Sequence, residues 1–144
     1  MEIAMDDKFI LKVFDEIGLV KDNNRLLIIV SHSFVEMMVK VLVEVHTECR
    51  LKNHHNRLEK LKSEKIIDEF QFDIYNWFRE LRNEAVHSPL FELTADKYEL
   101  LDGKVDGKNL QPDYFHRFSI SLISELWNKH LDVFLPRFHK ALCV

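Results

Sequence analysis

Glycine and proline are almost missing from this chain, with three of each in 144 residues. A fold of many short strands needs frequent turns, so this scarcity excludes an all-β architecture and favours long helices. Cysteine is just as scarce. Cys49 and Cys143 lie far apart and are too few for a disulfide framework, so both read as reduced thiols of a cytoplasmic protein. Long apolar runs are lacking as well: Leu26–Val30 is soon followed by His32 and Glu36, short of the roughly 18 residues that a membrane span needs. The acidic start, Met1-Glu2-Ile3-Ala4-Met5-Asp6-Asp7, lacks the basic opening of a signal peptide. The net charge of −4 argues against a protein that grips nucleic acid through bulk charge.

What the chain does have is apolar content. Nearly half of it, 47%, is hydrophobic, enough for a core without staples, and the length suits one domain over residues 1–144. No internal repeat or low-complexity tract interrupts it. A first helix is expected from Asp6, as N-cap, to Ile17, with Gly18 at its stop. A long second helix follows, from about Arg25 to Leu51. Leu27, Val30, Phe34, Met37, Met38, Val41 and Val45 form its main stripe, and Ile28, Val35, Val39 and Leu42 add apolar surface on other sides. A polar loop over residues 52–55 leads to a short helix with Leu58 and Leu61. A fourth helix spans about Asp68 to His87, carrying Phe70, Ile74, Phe78, Leu81 and Ala85 on one face; Pro89 ends it. Residues 88–111 look irregular, and Asp102-Gly103 and Asp106-Gly107 allow a short β-hairpin between residues 98 and 110. The last helix starts near Pro112, carries two apolar stripes, and should kink or end at Pro136. The expectation is all-α: an up-down bundle of about five helices. Two of them are apolar on more than one side, which suits a central helix, a homodimer interface, or both.

The chemistry-bearing residues gather at the close of the fourth helix. Asn83 and His87 are four apart and share a helix face, with Arg82 flanking it. A fixed positive charge, an amide and a titratable imidazole suit RNA cleavage. The imidazole can take the proton of the ribose 2′-OH, and the guanidinium can stabilise charge building on the phosphate. The products would be a 2′,3′-cyclic phosphate and a 5′-OH. The leaving oxygen also needs a proton, and this segment has one histidine, so a two-fold dimer would supply the second. The plain structural alternative is Arg82 paired with Glu80 or Glu84, and His87 as a charge that complements the helix dipole.

Leu81-Arg82-Asn83-Glu84-Ala85-Val86-His87 resembles the R-x4-6-H motif of HEPN domains in the form R-N-x-x-x-H, and the small residue before Val-His is similar to the DUF4145-like branch. The resemblance is close only over residues 81–87. It implies a dimerising helical bundle with the motif lining a cleft between protomers, and a metal-independent endoribonuclease used as a toxin or in antiviral defence. Arg82 and His87 would then be catalytic and Asn83 supporting. It implies equally that inactive members serve as modules that bind a partner protein or nucleotide. Toxins paired with a minimal nucleotidyltransferase carry tyrosine two residues after the histidine. Here Pro89 stands there, which puts modification of that tyrosine in doubt, though an antitoxin or nucleotidyltransferase partner stays open.

Residues 50–65 hold six basic side chains (Arg50, Lys52, Arg57, Lys60, Lys62, Lys65) against Glu59 and Glu64. The ordinary meaning is a solvated helix face; the sharper one is a phosphate-guiding edge. Arg50, Lys52, Arg57 and Arg79 are the candidate RNA-binding cations. His46, Cys49, His54 and His55 have a spacing that permits zinc, but no standard motif has this form, and no metal or other cofactor is expected. His32, in the apolar second helix, reads as a hydrogen-bonded core or interface residue, or as the missing acid near a dimer cleft. His116, His130 and His139 read as surface, and Trp77 and Trp127 as core.

Overall fold

A computed structural model describes residues 8–94, 96–98 and 113–142, with side chains through residue 138. Six helices form over them: α1 (Lys8–Leu19), α2 (Asn24–Thr47), α3 (His54–Ser63), α4 (Glu69–His87), α5 (Tyr114–Lys129) and α6 (Leu131–Leu142). Among the described residues there is no strand, so the all-α expectation holds. The hairpin expected between 98 and 110 lies outside them, apart from Tyr98 at the end of a short 3-10 turn, and so does the Asp6 cap.

Capping residues set most of the boundaries. Asn23 accepts a hydrogen bond from the Leu26 amide and opens α2. Asn53 does the same from the Asn56 amide, so His54 and His55 stand in the first turn of α3 rather than in a loop. Asp68 and Gln71 form a reciprocal capping box at the start of α4. The C-terminus of α2 falls four residues earlier than the apolar pattern suggests. Glu48 turns into the left-handed region with φ 58°, and the Thr47 hydroxyl accepts from the Cys49 amide.

The single last helix expected from the sequence is two helices. The break falls at His130, whose carbonyl accepts the amides of Val133 and Phe134 and so starts α6. Pro136 lies inside α6 and does not end it. The break lets both pieces meet α1: Phe9 stacks on Trp127 at 5.2 Å and on Phe138 at 4.3 Å. His130 is buried rather than on the surface, while Trp77 and Trp127 are in the core.

α2 is the axle of the bundle and packs against all five other helices. Its deepest line is Ile28, Val35, Met38, Val39 and Leu42, each wholly buried, whereas Val45 of the expected main stripe is exposed. By length and composition α2 is apolar enough to cross a membrane, although no uninterrupted apolar run suggests it. Here 56% of that stretch is buried against intrachain neighbours, while Leu26 and Val45 stay exposed.

Candidate functional site

The end of α4 is held from outside by Arg25. That side chain leaves the first turn of α2 and donates from Nε to the Ala85 carbonyl at 2.5 Å and from its terminal nitrogen to the Val86 carbonyl at 3.3 Å. The last carbonyls of a helix have no intrahelical partner, so a cation there satisfies them and complements the negative helix end. The contact also fixes α2 and α4 as antiparallel, and it places the 82–87 segment on a braced helix end rather than a fraying one.

Arg82 is half-buried. Its guanidinium donates to Asn83 Oδ1 at 3.4 Å, so these two candidate residues meet. Among the described residues Arg82 has no carboxylate partner: Glu80 lies 3.9 Å from Arg79, and Glu84 pairs with Lys97 at 2.8 Å. His87 is exposed and lines an open groove of about 470 Å³ with Glu84, Ser88, Leu90, Phe91 and Lys97. Arg82 does not line that groove. Five residues of α-helix turn through about 500°, so the two side chains leave the axis about 140° apart. Within one protomer they face different neighbours.

The charge of Arg82 acts on a pair that no sequence pattern connects. His32 of α2 and His54 of α3 meet edge to face with ring centroids 5.0 Å apart, and Phe78 of α4 lies 5.3 Å from His32. His32 is 2% exposed and His54 8%. Neither ring has a hydrogen-bond partner among the described residues, and the nearest carboxylate, that of Glu36, is 3.8 Å from His32 Nδ1. Burial, then the neighbouring His54, Arg82 and Arg79, push the His32 imidazole down to about 3. Burial, then Arg57, Arg79, Arg82 and His55, push His54 down to about 4. Both are neutral at pH 7. His32 is thus buried as expected, but without the expected hydrogen bond.

A second groove, of about 610 Å³, brings together three of the four candidate RNA-binding cations: Arg50, Lys52 and Arg57, joined by Lys40 and Arg137. Arg57 is mostly buried and donates to the Leu51 carbonyl at 2.9 Å. Glu44 and Glu48 line the same groove, and Glu44 pairs with Arg137 at 2.7 Å. Arg79 is elsewhere, bonded to Asn76 Oδ1 at 3.0–3.1 Å. The four residues whose spacing permits zinc are dispersed: among the described residues no three metal-ligating side chains group, and His46 faces His130 while His54 faces His32. Cys49 is a free thiol.

Sequence reasoning missed Arg25, whose partners are 60 residues away, and the His32–His54 pair. The second had one visible trace, a histidine and two serines inside an otherwise apolar helix.

A helical bundle whose fourth helix ends in a braced Arg-Asn-x-x-x-His segment is the class that fold and site define. A family model described as a domain of unknown function, DUF4145, matches residues 17–106, more than half of the chain, and the chain belongs to that family. No curated protein and no solved structure matches it.

Proposed function

We propose that this protein is an endoribonuclease of the HEPN type, acting as a homodimer on RNA in a toxin–antitoxin or antiviral defence role and needing no metal. The observation that carries the reading is the Arg82-Asn83…His87 segment on a helix end that Arg25 braces, with an exposed imidazole at an open groove. In this mechanism His87 takes the 2′-OH proton and the 2′ oxygen attacks phosphorus. Arg82 of the other protomer, held toward its Asn83, faces the charge that develops on the phosphate, and the 5′ oxygen leaves with a proton from a second imidazole. Arg50, Lys52 and Arg57 would carry the strand through their shared groove.

The test is incubation of wild-type protein and His87→Ala with mixed RNA in EDTA. Loss of the imidazole should slow cleavage about 10²–10⁴-fold, the usual worth of general acid–base catalysis. Equal cleavage by both proteins would remove His87 from the reaction. The divergence of Arg82 and His87 within one protomer favours one alternative, a non-catalytic module that docks a protein or nucleotide; equal and negligible cleavage by both proteins supports it.

A further inference from the structure

Buried imidazole nitrogens rarely go unpaired, because each one left without a hydrogen bond has lost its hydration with nothing in return. His32 and His54 leave all four of theirs unpaired within one seam. The charges that act on the two rings are positive, those of Arg79 and Arg82 on α4 and of Arg57 on α3, although Glu80 lies 3.9 Å from Arg79. His54 is also the first residue of α3, at the positive end of a ten-residue helix. Among the described residues the carboxylate within ion-pair reach of the pair is that of Glu36, which is 41% exposed and too far from His32 for a hydrogen bond. Like charges gathered in a poorly solvated place repel unless an anion joins them.

We propose that the seam between α2, the first turn of α3 and α4 seats a tetrahedral oxyanion. In the cell this would be a phosphate group, held by the His32 and His54 rings and the guanidiniums of Arg79 and Arg82. A phosphate accepts and does not donate when fully ionised, so it complements ring N–H groups and arginine forks. Arg57 lines the adjoining basic groove and also acts on His54, so the groove offers an approach to the seam. The proposal shares Arg82 with the ribonuclease reading but does not rest on it.

The experiment uses His87→Ala, which keeps the seam intact and leaves RNA uncut under the ribonuclease reading. Sulfate, which does not titrate near neutral pH, is added while the histidine ring signals are followed by NMR, against chloride at equal ionic strength. The expected result is saturable movement of the His32 and His54 signals, with affinity rising up to about tenfold per pH unit between pH 7 and 5.5 as binding draws a proton onto the pair. Arg79→Gln should weaken binding at least tenfold. Competition by inorganic phosphate but not by a uridine oligomer without terminal phosphates would assign a free phosphate or nucleotide; competition by the oligomer would assign an RNA diester. Ring signals that respond to sulfate no more than to chloride would overturn the proposal and leave a pair satisfied by water alone. That comparison stands even if Arg79→Gln fails to fold. Failure of RNA cleavage by the wild type would leave this result untouched.

Discussion

A buried neutral imidazole holds off its proton at a pH where the same group in an unfolded chain is charged. His32 and His54 are both of this kind, at about 3 and about 4 against an ordinary 6.5. The unfolded state therefore binds more protons than the native state between pH 6.5 and these lowered values. The stability these groups contribute is fully present above pH 6.5 and is lost as pH falls toward 4. With both rings more than nine-tenths buried, the slope approaches two protons, on the order of 3 kcal/mol per pH unit near pH 5. Urea unfolding between pH 6.5 and 5, above the range of ordinary carboxylates, should show this decline. His54→Gln should roughly halve the slope. Glu36 beside His32 works against the effect, since its carboxylate favours the protonated ring. A stability flat from pH 7 to 5 would mean that the native rings accept protons freely.

At the scale of elements, the end of α4 depends on a side chain from α2. Arg25→Ala removes two donors from the Ala85 and Val86 carbonyls, and bonds to a charged donor in a part-buried place suggest a loss of about 2 kcal/mol. Urea unfolding measures the loss, and hydrogen exchange at the Ser88 amide, which donates to the Glu84 carbonyl, should quicken with it. An unchanged exchange rate there would show that the helix end stands without Arg25. Such a brace has no local signature, whereas much of the rest was legible. The apolar periods placed α1, α2 and α4, and Asp68, Pro89 and the Arg82–His87 segment were readable from neighbours in sequence. The errors fall where packing overrides pattern. Glu48 ends α2 in a left-handed conformation without a glycine to announce it. Asn53 resembles any loop asparagine until the Asn56 amide reaches it. His130 breaks the last helix without glycine or proline, because Trp127 and Phe138 both stack on Phe9 across the break and Phe134 stacks on Trp127. The approach of His32 to His54 is set by how α3 lies on α2, a tertiary quantity that the 21 residues between them do not encode locally.

For the whole molecule, the question is whether two protomers pool their chemistry. The five other helices of the same chain cover α2 only in part: Leu26 and Val45 are exposed, and Ile29, Val30, Phe34 and Met37 are partly buried, which leaves a stripe for a second subunit to cover. Under the proposed ribonuclease chemistry the site makes its own demand: His87 and Arg82 leave α4 in different directions, and one phosphodiester would need both, with a second imidazole for the leaving oxygen. A two-fold arrangement that sets His87 of one protomer against Arg82 of the next would meet that demand. It makes a specific forecast for mixtures. Arg82→Ala and His87→Ala should each be nearly inactive alone. After co-refolding at equal amounts, half the dimers are mixed. Each mixed dimer holds one composite site with an intact Arg82 and an intact His87, and one with neither. That site lacks the second imidazole, so activity should rise above that of either variant alone yet stay below the quarter of wild type that counting intact Arg82–His87 sites would give. Recovery of that size in an RNA cleavage assay, with a sedimentation mass of twice 17.2 kDa, would establish a shared site. A monomeric mass, or mixtures as inactive as their components, would confine Arg82 and His87 to one chain, where their separation on α4 argues against a common reaction.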